Sequence, residues 1–293
     1  MRANALAVQL IQTCAGRVDG VEYVDLQSRT RRTVHAGLVI LAANAVQSAA
    51  LLLRSRNRWH SRGIGNDADL VGRGFSFKVS AYVTGTSAAW RSDPLIGAPY
   101  RGPHSTVALL DHYVDPDCPT GLGGVIYDAH YAEPERNAGR LRLHVLAGEH
   151  PLRANRVAEA PERNAHGLNR LEFQYRSTAA DLDRLDYLTH RATDILREAG
   201  AEQVSVEPSH FRLGSSHLHG TTRAGSDADT AVVDADGRVH GIANLHVVDG
   251  GYMPYAGGLN PTHTIMANAR RIALSLATGM ATPRHRTPSA QES

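Results

Sequence analysis

Residues 244–273 read NLHVVDGGYMPYAGGLNPTHTIMANARRIA, a pattern that predicts a strand, a glycine-rich turn and a helix. The apolar run that begins at Leu245 ends in Asp249 and a pair of glycines. Asn260 and Pro261 then mark the start of the helix, since proline is favoured at the first helical position. Five apolar side chains fall on one face of this helix: Ile265, Met266, Ala269, Ile272 and Ala273. A carboxylate at a strand end, flexible glycines and a helix N-terminus together favour the binding of an anionic or polarised cofactor.

Two further patterns organise residues 4–54. Residues 4–36 hold three alternating segments separated by turn residues, which predicts a small antiparallel meander. Residues 38–43, LVILAA, are a continuous apolar run typical of a fully buried strand, and Asn44 then leads into a helix over residues 45–54. A strand, small residues and a helix are half of a doubly wound sheet, in which ligands bind beyond the strand ends. An ordinary buried strand–helix unit has the same pattern, so both interpretations stand.

Between residues 75 and 205 the pattern changes to strands and a single helix. Alternating segments predict a sheet, at residues 79–85, 105–114, 124–132, 140–148 and 171–176. Residues 178–199 predict an amphipathic helix that ends at Gly200. Its apolar face comprises Leu182, Leu185, Leu188, Ala192, Ile195 and Leu196. The helix is expected to cover the sheet, as an insert within the α/β part of the chain.

These patterns divide the chain into four segments. Residues 1–74 and residues 206–280 are expected to form the α/β part, and residues 75–205 the inserted sheet. Residues 281–293, ATPRHRTPSAQES, are polar and proline-rich, which predicts a disordered tail.

Composition argues against several function classes. The chain has 293 residues and a net charge of +2, and its basic side chains are scattered, which argues against nucleic-acid binding. We expect no membrane span, because no run of about 18 apolar residues is present, and the N-terminus lacks a signal-peptide pattern. Cys14 and Cys118 lie far apart without metal-ligand spacing, so we expect no disulfide framework and a cytoplasmic location.

The chain has 16 histidines, and the segment GSSHLHGTTRAG, residues 214–225, is the one that suggests chemistry. In an extended segment alternate side chains point the same way, so His217 and His219 are expected to share a face. A metal site would need a third ligand such as His210 or His240, and no HExxH-type spacing supports one. We therefore expect no metal.

Three other interpretations of residues 214–225 remain possible. Imidazole titrates near neutral pH, which suits a general base and favours one of these histidines in that role. Ser215 or Ser216 beside a histidine is compatible with a hydrolase, but the chain has no GxSxG elbow. The segment is also compatible with a purely structural loop held by hydroxyl–backbone bonds.

The same segment carries a family resemblance. HLHGTTRAG, residues 217–225, is similar to the HxxGTxRMG loop of the glucose–methanol–choline (GMC) flavoprotein oxidoreductases. Residues 244–262 resemble that family's C-terminal signature, a strand ending in Asp-Gly, then a proline, then NPxxT at a helix start. VILAANAVQSAALLLRS, residues 39–55, resembles its VVLAAGAxxTxxLLLxS segment. Two short matches are its VGR loop at residues 71–73 and the turn before its last strand at residues 237–241. The resemblance covers about residues 4–280, in order.

The resemblance implies FAD chemistry on an alcohol. By motif match, His217 would accept the proton of a substrate hydroxyl and Asn260 would orient the substrate or the developing alkoxide, while hydride passes to the flavin. The implied flavin contacts are Ala42, Ala43, Asp249, Gly250, Pro261 and Thr262. His219 and His263 would be secondary substrate contacts. The Asn-Pro-Thr sequence looks most like the pyranose-oxidase and sugar-dehydrogenase branch, which implies a sugar or glycoside hydroxyl as the substrate.

The chain also departs from the family pattern. It has no GxGxxG βαβ unit, and GLGG at residues 121–124 opens no predicted helix. Gly74 replaces an Asn, Lys78 lies in the usual His region, and Ala224 replaces a Met. The expected fold class is therefore α/β plus α+β. It combines a partial, Rossmann-like FAD-binding domain that lacks its N-terminal βαβ unit with an inserted antiparallel-sheet substrate domain.

Three hypotheses about the whole protein follow. The chain is one half of a split flavoenzyme whose glycine-rich half is a second polypeptide, a truncated piece of a longer enzyme, or a non-catalytic remnant that acts as a binding module. The missing βαβ unit would leave an edge of the strand at residues 38–43 open to pairing. His217 and Asn260 are both present, which favours the catalytic hypotheses.

Overall fold

The computed structural model describes residues 1–92, 107–129, 137–208, 217–255 and 257–279. The predicted meander is confirmed as an antiparallel sheet of three strands, β1 (Ala5–Ile11), β2 (Gly20–Asp25) and β3 (Arg31–His35). Val8 and Leu10 of β1 are buried, whereas every residue of β3 is exposed. The meander therefore packs on the rest of the protein through its first two strands.

A parallel strand pair carries the segments that the sequence singles out. β4 (Val39–Leu41) pairs in parallel with β12 (Leu245–Val247), and α1 (Asn44–Arg54) follows β4. The strand predicted at residues 38–43 is thus confirmed at its centre. Ala42 and Ala43 lie exposed beyond its carboxyl end, where a doubly wound sheet binds its ligand.

Asn44 makes the turn between β4 and α1. Its φ of +67° lies in the left-handed region, which asparagine tolerates better than most residues because its short side chain bonds locally. Its Oδ1 accepts the backbone N–H groups of Val46 at 2.9 Å and of Gln47 at 3.2 Å, and so satisfies the first turn of the helix. Asparagine can therefore stand where the family segment VVLAAG has a glycine.

A five-stranded antiparallel sheet has the order β11–β5–β8–β7–β6. Its strands are β5 (Val79–Thr86), β6 (Ala108–Leu109), β7 (Gly124–Ala129), β8 (Arg140–Ala147) and β11 (Gln203–Pro208). Within the described residues, the strands predicted at residues 79–85, 124–132 and 140–148 are confirmed.

Two parts of this sheet differ from the prediction. Of the strand expected at residues 105–114, the described residues 107–114 form only β6, because the chain turns after it and the Tyr113 N–H donates to the Leu110 carbonyl at 2.8 Å. The sequence does not predict β11, whose two valines stand among polar residues in QVSVEP. The domain boundary expected between residues 205 and 206 falls inside β11, so the sheet-forming segment continues to Pro208.

The predicted covering helix is confirmed as α2 (Ala179–Glu198). Thr178 and Asp181 form a capping box at its start, and Gly200, with a φ of +93°, follows its end. The side chains packed against the sheet are Leu185, Leu188, Ala192, Ile195 and Leu196. Leu182 is 38% exposed, so its predicted place on this face is wrong. The buried stripe starts instead at Asp181, whose carboxylate pairs with buried Arg184 at 3.1 Å.

A hairpin of β9 (Arg156–Arg163) and β10 (Asn169–Gln174) lies outside the five-stranded sheet. The sequence predicts its second strand but not β9, whose charged residues and Pro161 obscure the alternation. Val157 of β9 is buried beside Val46 of α1. The hairpin therefore packs on the helix of the α/β part and not on the sheet of its own predicted segment.

The last helix, α3 (Thr262–Thr278), begins one residue later than predicted, so Pro261 is its cap and not its first residue. No side chain caps this end. Of its predicted apolar face, only Ile272 is buried, while Ile265 and Ala269 are half-buried. Met266 and Ala273 are exposed, contrary to prediction, because nothing among the described residues covers that side of the helix.

None of the described helices is long and apolar enough to cross a membrane. The predicted disordered tail at residues 281–293 lies outside the described residues.

Candidate active site

The segment beginning at His217 lies against the VGR segment. The His219 N–H donates to the Ser76 carbonyl at 2.9 Å, and the Ser76 N–H donates to the His219 carbonyl at 3.2 Å. The Gly72 N–H donates to the Thr221 carbonyl at 2.7 Å. Two motifs separated by more than a hundred residues in the chain therefore run side by side.

On its other side the same segment lies against the glycine turn that follows β12. The Gly220 N–H donates to the Gly250 carbonyl at 3.3 Å, and the Thr222 N–H donates to the Gly251 carbonyl at 3.0 Å. Three of the five segments that carry the family resemblance thus meet in one layer of backbone hydrogen bonds, with the His217 segment in the middle.

Glycine is required at two positions of this layer. A Cβ on Gly220 would lie 2.2 Å from the Gly74 carbonyl oxygen, and the φ of Gly220 is +89°. A Cβ on Gly250 would lie 2.4 Å from the Leu218 carbonyl oxygen. Both distances are far below a van der Waals contact, so the close approach of these segments depends on the missing side chains.

His217 is buried, with 9% of its surface exposed. Burial, and then the neighbouring Lys78 ammonium, lower the pKa of His217 to about 4. The imidazole is therefore neutral at neutral pH, the form that can accept a proton. Its Nδ1 is buried.

His219 lies directly behind His217 and is 1% exposed. Its Nδ1 is 2.9 Å from the His217 carbonyl oxygen, so that nitrogen carries the proton and donates to the backbone of His217. Burial lowers the pKa of His219 to about 4. His263 is exposed in the first turn of α3. Ser215, Ser216 and His210 lie outside the described residues.

Asn260 is exposed at the end of a loop that packs closely on the sheet. A Cβ on Gly258 would lie 2.9 Å from Tyr113 and 3.1 Å from the Gly123 carbonyl oxygen. The Asn260 side chain hydrogen-bonds Tyr127 of β7, and burial raises the pKa of that tyrosine to about 12. The neutral phenol therefore remains a fixed partner for the amide.

A row of rings on the sheet includes Tyr127, the partner of Asn260, and His144, which interacts electrostatically with His217. His144 of β8 stacks on Tyr82 of β5, with centroids 4.4 Å apart, and meets Tyr127 edge-on at 4.8 Å. The Arg142 guanidinium lies 3.6 Å from the centre of the Tyr82 ring. Burial lowers the pKa of His144 to about 4, with smaller effects of Arg142 and His217. The sequence does not predict this row, because its members face each other only through the register of three strands.

The residues at the strand ends fit a dinucleotide cofactor. Ala42 and Ala43 are small and exposed, and the α3 N-terminus has N–H groups that no side chain caps. The Asp249 carboxylate accepts from Ser48 Oγ at 2.5 Å and from the Gly251 N–H at 2.8 Å. Burial raises the pKa of Asp249. Asp249 thus ties α1 to the glycine turn and keeps both turns in place.

Part of the chain that contains this site matches a known protein family. Residues 151–269 match the C-terminal family model of the GMC oxidoreductases. This part of the chain is similar to the C-terminal domain of GMC oxidoreductases. GMC oxidoreductases are flavoproteins, and the fit of the strand ends to a dinucleotide agrees with that.

Two bacterial relatives match almost the whole chain. The 6'''-hydroxyparomomycin C oxidase of Streptomyces lividus is 44% identical over 97% of this chain and 53% of its own length. The paromamine 6'-oxidase of Streptomyces fradiae is 44% identical over 94% of this chain and 52% of its own length. The chain therefore spans about half the length of the curated GMC relatives it matches.

Solved structures confirm a mixed α/β fold with antiparallel sheets. Pyridoxine 4-oxidase from Mesorbium loti superposes with a TM-score of 0.67 at 22% identity, over 94% of this chain and 57% of that one. Formate oxidase superposes with a TM-score of 0.67 at 16% identity, over 94% of this chain and 60% of that one.

The three buried histidines of the site make the folded chain sensitive to acid. His144, His217 and His219 have pKa values lowered from 6.5 to about 4, so below pH 6.5 the unfolded chain binds protons that the folded chain does not. We expect the free energy of unfolding to fall as the pH drops from 6.5 towards 4, by about 1–3 kcal/mol for each imidazole.

Urea unfolding at a series of pH values measures this slope. His144→Gln, which cannot take up a proton, should show a shallower slope than the unmodified chain. Equal slopes in the two proteins would contradict the assignment of His144 as a buried neutral imidazole.

Proposed function

We propose that this chain supplies the catalytic part of an FAD-dependent oxidoreductase that oxidises a CH–OH group of a sugar or glycoside. The observation that carries the proposal is His217, a buried, neutral imidazole fixed between two other motifs. Tyr127 of the ring row holds Asn260, and His144 of the same row interacts electrostatically with His217. A neutral base and an amide donor together suit the removal of a hydroxyl proton.

His217 is assigned the role of proton acceptor. Because Nδ1 is buried, Nε2 is the atom assigned to take the proton of the substrate hydroxyl. Asn260, fixed by Tyr127, donates its amide N–H to the oxygen as negative charge develops there, without competing for the proton. Bound FAD would supply the hydride acceptor. His219 is assigned to hold the His217 backbone, and exposed His263 to contact the outer part of a substrate.

The FAD-binding residues are assigned from position and exposure. Ala42 and Ala43 are proposed to line the dinucleotide, and Gly250 to allow its close approach. Pro261 and Thr262 place the α3 N-terminus, which favours the negative charge of a reduced flavin. Asp249 acts through the turns that it holds, since its carboxylate is bound to Ser48 and Gly251.

The same reasoning assigns the domains. Residues 1–74 and 206–280 form a partial Rossmann-like FAD-binding domain, with β4 and β12 as its parallel strands. Residues 75–205 form the substrate domain, extended to Pro208 by β11, with the β9–β10 hairpin packed on the FAD-binding part.

The substrate class is inferred from the relatives and from the ring row. The names of the two relatives describe oxidation of paromamine and of hydroxyparomomycin C, both at a hydroxyl of a glycoside. Here Tyr82, His144 and Tyr127 place two phenols and an imidazole together on the sheet, and Tyr127 holds the amide of Asn260, which provides aromatic and polar groups of the kind that contact sugars. We therefore propose a glycoside hydroxyl, with amino sugars as the first class to test.

Anaerobic mixing of the flavin-loaded enzyme with paromamine tests the proposal. We expect the visible flavin absorbance to bleach with paromamine, and to remain with the analogue that lacks the 6'-hydroxyl, because that analogue has no hydroxyl proton or carbinol hydride to give up. A flavin that no sugar or aminoglycoside alcohol reduces would refute the proposed activity.

A second polypeptide, or the rest of a longer chain of which this sequence is a piece, is proposed as the source of the glycine-rich half. Two surfaces support this: β4 has a neighbour on only one side among the described strands, and its Ile40 is 45% exposed. Met266 and Leu274 of α3 are 63% and 50% exposed. The competing hypothesis of a non-catalytic binding module would explain these surfaces, but it gives no role to the buried neutral His217.

A further inference from the structure

Lys78 is the single lysine of the 293-residue chain; the other cationic side chains, histidines aside, are arginines. It stands immediately before β5, at the end of the segment that hydrogen-bonds the His217 loop. It is 1% exposed. A buried ammonium is costly unless its surroundings compensate for the loss of water, so its position calls for a physical reason.

A backbone carbonyl and a carboxylate stabilise the Lys78 ammonium. Its Nζ donates to the Gly257 carbonyl oxygen, three residues before Asn260. The buried carboxylate of Glu149 attracts the ammonium from another side. Glu149 is itself fixed by donors from Ser76, Phe77, Tyr175 and Ser177.

Lys78 also interacts electrostatically with the histidines of the site. The Lys78 charge acts on both His217 and His219 and disfavours their protonated forms. His144 is the other titratable group that interacts with His217. The lysine is thus a cation that interacts with the neutral imidazoles of His217 and His219. It also contacts the loop that carries Asn260.

We propose that Lys78 is a positioning residue for the oxidation: its ammonium fixes the loop at residues 257–260 and keeps His217 in its neutral, proton-accepting form. This inference rests on the proposed function. It assigns two effects to one side chain, because the same charge that bonds the Gly257 carbonyl repels a proton on His217.

The proposal gives the site a charge state that depends on pH. Burial lowers the pKa of Lys78 to about 7, although Glu149 acts in the opposite direction. From about pH 4 to about pH 7 the lysine is charged while His217 is neutral. Above that range the lysine loses its proton. Its hydrogen bond to the Gly257 carbonyl is then weaker, because a charged donor makes a stronger hydrogen bond than a neutral one.

Nuclear magnetic resonance of the full chain tests the inference without any flavin. With ¹³C-labelled lysine the side chain gives one ε-carbon signal, since the chain has one lysine. We expect a titration midpoint near 7 and not near the ordinary 10.5. A midpoint near 10.5 would mean that the ammonium persists well above pH 7 and would contradict the pH-dependent charge state, whereas the variants described next test the effect on His217 itself.

The effect on His217 is measured with labelled histidine, its signal assigned by its loss in His217→Ala. Lys78→Met, which removes the charge and keeps most of the volume, should raise the His217 midpoint by about one pH unit. Lys78→Arg, which keeps the charge, should leave it close to that of the unmodified chain. An unchanged midpoint in Lys78→Met overturns the inference.

Failure of the proposed function gives a different result. If the flavin-loaded enzyme oxidises no alcohol but Lys78→Met still raises the His217 midpoint, the function is wrong and the electrostatic role of Lys78 stands. If the enzyme is active, the acid limb of its flavin-reduction profile should move to higher pH in Lys78→Met and stay in place in Lys78→Arg. An active Lys78→Met enzyme with an unmoved acid limb contradicts the inference.

Discussion

Replacement of His217 by alanine should slow the reduction of bound flavin by an alcohol substrate by about 100- to 10,000-fold. The reason is that no other neutral base occupies the same place: His219 is 1% exposed and its Nδ1–H is committed to the His217 carbonyl. Without the imidazole the hydroxyl proton has to leave to water, in a buried site that offers little of it. Stopped-flow absorbance under anaerobic conditions measures the rate.

His166→Ala is the matched control, because it removes an exposed histidine from the turn between β9 and β10. It should reduce flavin at the unmodified rate. Flavin content and the visible spectrum of His217→Ala should match those of the unmodified enzyme, so that a lost base is distinguished from a lost cofactor. An unchanged reduction rate in His217→Ala would refute its role as the base.

The pH dependence of the same reaction follows from the lowered pKa of His217. Because the neutral form accepts the proton and its pKa is about 4, the imidazole is already competent well below neutral pH. We expect the rate of flavin reduction to hold from pH 7 down to about pH 5 and to fall only as the pH approaches 4. A histidine with the ordinary value of 6.5 would lose activity already near neutral pH.

Much of this architecture could be predicted from local sequence patterns. The meander, β4, α1, α2 and α3 each have a clear alternation or helical period together with caps or turns, so their presence is confirmed with small errors at the ends. The motif at residues 217–225 also identified the loop that the structure places between two other motifs. Local sequence patterns were sufficient to predict an element wherever the conformation of that segment depends mainly on its own residues.

The missed features depend on distant parts of the chain. The row of Tyr82, His144 and Tyr127 exists because three strands pair in one register, and no single segment contains that information. The hydrogen bond of Lys78 to the Gly257 carbonyl joins residues that are far apart in the chain, so the sequence around Lys78 does not predict it. The exposure of Met266 has the same origin, since an apolar helix face is buried only if another segment covers it.

The isolated chain should not retain FAD in a one-to-one ratio after purification. Its residues offer one end of a dinucleotide site, at Ala42, Ala43, Gly250 and the α3 N-terminus, but the sequence has no GxGxxG unit to hold the diphosphate. Every 1.4 kcal/mol of lost contact weakens binding about tenfold, so the loss of the diphosphate cradle releases the cofactor during dialysis. Visible absorbance of the purified chain measures the retained flavin.

Co-expression with a polypeptide that contains the GxGxxG unit is the complementary experiment, in which flavin should be retained. The N-terminal half of the Streptomyces fradiae paromamine 6'-oxidase is a suitable donor, because its C-terminal half is 44% identical to this chain. We expect the two halves to co-purify with bound flavin. Tight one-to-one FAD in the isolated chain would contradict the proposal that a glycine-rich partner is needed.

The surface that receives this partner can be tested by the same assay. Leu274 of α3 is 50% exposed, so Leu274→Glu should place a charge in the contact and abolish co-purification and flavin retention. Val114 is 68% exposed in the turn after β6, and Val114→Glu is the matched control that should leave both unchanged. If the two variants behave alike, α3 is not the contact. The open edge of β4, where Ile40 is exposed, would then be the next surface to test.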